Sequence, residues 1–167
     1  MTDVIKTERL VLRRFRRGDA GDVVALANDL EVARWLSEMP HPYTHDHAVA
    51  FLENFACATP TCFAMTKDYE LIGCILTDRH LGYWIGRPFW GQGHASEAAR
   101  AMVDWHFNAG GNDLPSAYHL GNDRSGAVLT KLGFRPTDQR RITVVSTGTD
   151  VTVQDMMLSR DDWEALQ

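Results

Sequence analysis

The sequence predicts an α/β (α+β) domain with one mixed central β-sheet and helices on both faces. Three observations carry this reading. Alternating, β-rich runs outnumber helical ones. Two pairs of these runs are joined by short polar turns, as in hairpins. One helix bridges two further runs, a crossover that makes those two strands parallel. At 167 residues, residues 1–167 read as a single domain, with no repeat, linker or low-complexity tract.

The elements follow in order. Arg9-Leu-Val-Leu-Arg-Arg-Phe15 alternates and reads as the first strand. Asp19 is placed to cap a helix running to about Trp35, with Val23, Leu26, Ala27 and Leu30 on one face. Two prolines make Met39-Pro-His-Pro-Tyr43 a loop. Thr44 caps a second helix, with Ala48, Phe51, Leu52 and Phe55 at helical spacing. Cys62–Thr66 and Leu71–Thr77 flank a turn and form a hairpin. His80–Ile85 is a strand, and Ala95–Ala109 is an amphipathic helix stopped by Gly110-Gly111. Asn112–Pro115 is a loop, Ser116–Leu120 a strand, and Ser125–Leu132 a short helix ended by Gly133. Ile142–Thr147 and Val151–Leu158 pair around Gly148-Thr-Asp150.

Composition narrows the function. A formal net charge of −5 gives no electrostatic footprint for nucleic acid. No run approaches the ~20 apolar residues of a membrane span, and Met1-Thr-Asp-Val4 does not read as a signal peptide. Cys57, Cys62 and Cys74 have no metal-type spacing and fit reduced thiols in a cytoplasmic protein.

The strongest motif runs from Tyr83 to Ala98. A short strand enters Trp90-Gly-Gln-Gly-His94, which opens directly into a helix. Gly91 and Gly93 allow a tight turn and close approach of a ligand to the backbone. The first amides of a helix lack intrahelical partners, and its dipole is positive there. Together they make an anion cradle of the kind that takes phosphate.

Four blocks carry a resemblance. They are Thr7-Glu-Arg-Leu-Val-Leu-Arg13, Leu71-Ile-Gly-Cys74, Gly82-Tyr-Trp-Ile…Trp90-Gly-Gln-Gly-His-Ala-Ser-Glu-Ala98, and Asn122-Asp-Arg-Ser125…Val128-Leu-Thr-Lys-Leu-Gly-Phe134. In this order and spacing the chain resembles the GNAT-superfamily acyl-CoA N-acyltransferases, in the RimJ/RimL-like branch of ribosomal-protein N-terminal acetyltransferases. The likeness runs from about Thr7 to Trp163. The wider superfamily usually has Gln or Arg where Trp90 stands, and this branch admits Trp.

The resemblance implies acetyl-CoA as cosubstrate, with its pyrophosphate on the amides of Gln92, Gly93, His94, Ala95 and Ser96. The pantetheine arm would lie beside the open edge of Trp84 and Ile85, where two parallel strands splay apart, and Asn122 would reach it. A backbone amide there would polarise the thioester carbonyl. Trp35, Met39 and Tyr43 lie around the loop that walls the acceptor site in the family.

Proton transfer leaves alternatives. Many relatives carry a tyrosine where Leu129 stands, so Ser125 becomes the candidate that hydrogen-bonds or protonates the leaving thiolate. Ser125 also suits a helix N-cap. His80 occupies the place of a strand glutamate that serves as general base, and an imidazole of pKa about 6.5 suits that task. His119 on the neighbouring strand is a second candidate for the base and is also placed on the acceptor side. An α-amino group of pKa about 7.7–8.0 could also lose its proton to water. His41, His45 and His47 have no acidic or cysteine partner spaced to complete a shell, so no metal is expected.

The expected function is acetyl transfer from acetyl-CoA to a primary amine, either a protein N-terminus or a small molecule, by a monomer or homodimer. A non-catalytic acyl-CoA-binding or sensory module on the same fold is the alternative. A generic nucleotide-binding protein is the third reading, and it lacks identifiable base- and ribose-reading residues.

Overall fold

In the computed structural model, which describes residues 4–167, the alternating stretches join into one eight-stranded sheet. Met1–Asp3, part of the terminus read as free of a signal peptide, lie outside the described residues. The strands are β1 (Val4–Lys6), β2 (Val11–Arg14), β3 (Cys62–Lys67), β4 (Glu70–Thr77), β5 (Leu81–Ile85), β6 (Leu114–His119), β7 (Arg135–Thr143) and β8 (Asp150–Leu158). Their spatial order is β1-β2-β3-β4-β5-β6-β8-β7. Every neighbouring pair is antiparallel except β5 and β6, which run parallel as the crossover requires.

The helices are α1 (Ala20–Ala27), α2 (Leu30–Ala33), α3 (His45–Phe51), α4 (His94–Asn108), α5 (Asp123–Lys131) and α6 (Arg160–Glu164). Two apolar layers cover the sheet. On one face Met102, Val103, Phe107, Leu129 and Trp163 from α4, α5 and α6 pack on Leu12, Phe63, Ile75 and Leu81. On the other, Val23, Ala27 and Ala48 from α1 and α3 pack on Ala64, Leu71 and Cys74. Cys62 and Cys74 meet there as free thiols, with their sulfurs 3.7 Å apart.

Four expectations need correcting. Strand β1 was not foreseen, being only three residues long. The helix expected from Asp19 to about Trp35 breaks at Asn28, whose Oδ1 accepts from the Tyr43 amide at 3.0 Å. The next residue, Asp29, then caps α2 through the Glu31 amide. Asp19 caps no helix through its side chain at α1, because its carboxylate is held by both Arg13 terminal nitrogens and the Arg16 amide. Burial works to raise the Asp19 pKa, but those hydrogen bonds outweigh it and hold the group below its ordinary value. Finally, β7 spans Arg135–Thr143 rather than Ile142–Thr147. It is an edge strand exposed along nearly its whole length, so no alternation marked it.

Thr44 does cap α3, accepting from the His47 amide at 3.3 Å. The 62–77 hairpin turns at Asp68 and Tyr69, both at positive φ (48° and 70°), as a two-residue hairpin loop demands.

Candidate active site

The site forms where β5 and β6 part. Their parallel ladder consists of the single pair Leu81↔Ser116, clamped by the Ser116 hydroxyl donating to the Leu81 carbonyl at 2.8 Å. Beyond it the strands diverge. The Gly86 amide donates to the Ile72 carbonyl on β4. Backbone groups alternate along a strand, so Gly82 and Trp84 also turn theirs to β4, and Tyr83 and Ile85 turn theirs toward β6. The open edge of β5 therefore belongs to Tyr83 and Ile85 rather than to Trp84 and Ile85. The Ile85 carbonyl is closed off by the Trp90 indole N–H at 2.7 Å, which leaves the Ile85 amide in the opening.

The glycine turn sits at the end of this opening. Gly91 and Gly93 have φ of 73° and 79°, the left-handed region that side chains disfavour. The first ladder bond of α4 runs from the Glu97 amide to the Gly93 carbonyl, at 3.1 Å. The amides of Gly93, His94, Ala95 and Ser96 lie ahead of that ladder, so the helix ends in donors. His94 is 1% exposed, and neither ring nitrogen has a hydrogen-bond partner among the described residues. Burial, with help from nearby Arg9, lowers its pKa and favours the neutral ring.

A brace from the chain's start holds the turn. Glu97 Oε1 accepts from the Thr7 hydroxyl at 2.6 Å and the Arg9 amide at 2.7 Å, and Oε2 accepts from Arg9 Nε at 2.7 Å. Arg9 NH1 also donates to the Gln92 carbonyl at 2.8 Å. Burial pushes the Glu97 carboxyl upward, but the Thr7 and Arg9 bonds prevail and hold it below its ordinary value. Such a depressed carboxyl stabilises the fold at neutral pH, and that contribution disappears as pH falls below the unfolded value of about 4.3. Glu97→Gln is therefore expected to lower the urea midpoint at pH 7 by the equivalent of about 1–3 kcal/mol, and to flatten the acid limb of stability against pH. Superimposable urea–pH curves for the two proteins would refute this role.

Across the opening, α5 begins with a clear division of labour. Asn122 is the N-cap, its Oδ1 accepting from the Ser125 amide at 3.3 Å. Ser125, three residues later, does not cap, and its hydroxyl lies 3.0 Å from the Tyr83 hydroxyl. Arg124 stacks its guanidinium 4.8 Å from the Trp90 ring centroid and so joins α5 to the glycine turn. Gly126 lets α5 settle onto β6, where an added Cβ would meet the Tyr118 ring at 2.9 Å. Two tyrosines thus flank the splay, although the helix position that carries one in many relatives holds the buried Leu129.

The opposite face holds the other candidates. Trp35 packs beside His119, their ring centroids 6.5 Å apart. His119 is buried, and its Nε2 lies 3.4 Å from the Ser37 hydroxyl. The β7–β8 hairpin reaches over to this segment through the Val145 amide and the Ser37 carbonyl, at 3.1 Å. His80, just before β5, folds toward Gly82, where an added Cβ would meet its Nε2 at 3.1 Å. Both histidine pKa values are lowered, chiefly by desolvation with the charge of Arg140 adding to it, while Asp78 and Glu38 partly offset this at His80 and the Arg34 backbone does so at His119. His80 is exposed, so water screens it more than the buried His119. Met39 packs on the same apolar layer as Trp84. Tyr43 is only 6% exposed, and burial pushes its pKa up to about 12, so it serves this face as packing. Among the described residues no cluster of three or more His, Cys, Asp or Glu is placed to hold a metal ion, and no helix is long and apolar enough to cross a membrane.

Residues 9–135 match the acetyltransferase (GNAT) domain family, a span covering most of the chain. The chain belongs to the GNAT acetyltransferases. This GNAT chain is 27% identical over 178 residues to the uncharacterized N-acetyltransferase YoaA of Bacillus subtilis (strain 168), covering 96% of itself and 100% of YoaA. Its fold matches the GNAT-family acetyltransferase of Bacillus anthracis with a TM-score of 0.83, at 20% identity and with 95% and 99% of the two chains covered. It also matches RimL, the ribosomal L7/L12 α-N-protein acetyltransferase solved with coenzyme A, with a TM-score of 0.81, at 15% identity over 95% and 99%.

The sequence reading of this GNAT site missed Tyr83, Tyr118, Arg124 and the Arg9–Glu97 brace. For Tyr83 a signal was present. It alternates with Trp84 and so shares the face of Leu81 and Ile85, the face that α5 covers.

Proposed function

We propose that this GNAT protein transfers the acetyl group of acetyl-CoA to a primary amine by direct attack in a ternary complex, in the manner of the RimJ/RimL-like branch. The carrying observation is the donor-ended α4 behind a left-handed glycine turn, set at the mouth of a splayed parallel pair. The amides of Gln92 to Ser96 take the pyrophosphate, and the second face of Asn122, its amino group, reaches the pantetheine arm. The Ile85 amide polarises the thioester carbonyl. Ser125 hydrogen-bonds the leaving sulfur. Neutral His80 accepts the ammonium proton, with His119 and Trp35 near the incoming amine. Acceptors of this chemistry are protein N-termini and small-molecule amines, since an α-amino group needs only a weak base. The paired hydroxyls of Tyr83 and Ser125 at the splay favour catalysis over the non-catalytic binding module.

The test is free-thiol release from acetyl-CoA across an amine panel. Amine-dependent release supports the reading. Thermal stabilisation by CoA without such release would leave the binding module, and stabilisation by ATP instead of CoA would leave the nucleotide-binding reading.

His80→Ala separates the base from solvent. A base with a lowered pKa is already competent near neutrality, whereas an unaided amine becomes reactive only near its own pKa of about 8. The variant's kcat/KM is therefore expected to fall at least about tenfold at pH 6.5 and to approach wild type above pH 8.5. An unchanged pH–rate profile would remove His80 from the mechanism.

A further inference from the structure

We infer that Tyr83 acts through Ser125 as the proton reservoir for the departing CoA sulfur, the two hydroxyls working as one coupled donor. The inference rests on the acetyl-transfer reading above. Its experiment includes an arm that does not depend on turnover.

The geometry begins with what Ser125 is not doing. Asn122 supplies the cap of α5, so the Ser125 oxygen is free of backbone duty. Its side-chain partner among the described residues is the Tyr83 hydroxyl, at 3.0 Å. Tyr83 reaches it from β5, at the stretch whose backbone faces the opening toward β6. The opposite wall is fixed, because Tyr118 sits under Gly126 with no room for a side chain between them.

Two hydroxyls carry two protons. One is spent between the oxygens, and the other is left to point outward. With Tyr83 donating to Ser125, the serine proton is the outward one. A serine acting alone would have to become an alkoxide, which is a very poor anion. With Tyr83 behind it, the serine is reprotonated as it donates, and the charge rests on a phenolate. Burial raises the Tyr83 pKa and the Ser125 bond tempers the rise, so the phenol holds its proton at neutral pH.

The balance is simple. The amine nitrogen bonds to the carbonyl carbon, and the carbon–sulfur bond breaks with its electron pair on sulfur. Sulfur takes the Ser125 proton, Ser125 takes the Tyr83 proton, and Tyr83 regains one from water. An acceptor that enters as an ammonium and leaves as an amide sheds two protons: one passes through the base to solvent as net release, and the other replaces the proton that water gives to Tyr83. Nothing is oxidised or reduced.

The experiment uses the full chain. Tyr83→Phe is expected to lower kcat at least tenfold with the KM for acetyl-CoA within twofold, and Tyr83→Phe/Ser125→Ala is expected to be no worse than Ser125→Ala alone. A Tyr83→Phe kcat within twofold of wild type, or effects that multiply in the double variant, would overturn the coupling. Ultraviolet titration of the thiol of bound CoA reads the same pair without turnover. Its pKa should rise in Tyr83→Phe, and an unchanged value overturns the inference. If wild type binds CoA yet releases no thiol with any amine, the acetyl-transfer reading fails while this titration still judges the pair. Should Tyr83→Phe not fold, 3-fluorotyrosine incorporation preserves the shape and acidifies the phenol. The basic limb of kcat, or of the bound-thiol titration, should then move to lower pH, and no movement counts against Tyr83.

Discussion

Gly93→Val is expected to abolish measurable CoA binding in a protein that still folds. Gly93 holds φ at 79°, where a β-branched residue is strained by about 1–3 kcal/mol. The strain falls on the one residue that aims the first amides of α4. The added Cβ would meet only Arg9 NH2, at 3.3 Å, the far end of a flexible side chain. The surrounding core has no reason to give way, and the turn does. Re-aimed amides cannot converge on a pyrophosphate, so affinity should drop by more than about a hundredfold, or about 2.8 kcal/mol. Calorimetry with CoA reads this directly, and wild-type affinity in the variant would move the phosphate site elsewhere.

The start of α5 gives the second large effect, because stability and turnover are assigned to different residues there. Asn122→Ala should cost about 0.5–2 kcal/mol of stability, the usual value of a lost cap. Ser125→Ala should cost less in stability, since only its backbone amide serves the cap. Its kcat, however, should fall about a hundredfold or more with little change in the KM for acetyl-CoA, the pattern of an interaction made mainly in the transition state. Ser125→Asp should remain folded and still turn over poorly, because its charge would face a developing thiolate. Full activity in a stable Ser125→Asp protein would leave the hydroxyl with no part in the reaction.

These assignments show which features could be read before the fold was known. The glycine turn and the parallel β5–β6 pair were legible because their signals are local: positive-φ glycines next to a helix, and a helix between two strands. The cap was harder. Asn122 and Ser125 are both good cap residues three positions apart, and the choice between them depends on where the chain leaves β6. The break at Asn28 depends on the Tyr43 amide, fifteen residues away, and no helical period records it. For Tyr83 alternation marks the face but not the partner. The helix position of Leu129 carries no hydroxyl, and the one that meets Ser125 arrives from a strand on the other side of the opening.

The brace on the glycine turn has a consequence for how this protein is made. Thr7 and Arg9 hold Glu97 and Gln92 across 83 to 90 residues of chain. Closing a loop of that length carries an entropic cost that only a largely assembled sheet can offset. On the ribosome Thr7 and Arg9 therefore lack Glu97 and Gln92 until α4 has emerged, although β1 and β2 can already pair, and the glycine turn is braced late. A bulky tag or a truncation at the N-terminus acts on the same joint. Such preparations are expected to keep their helices while losing the brace on the glycine turn.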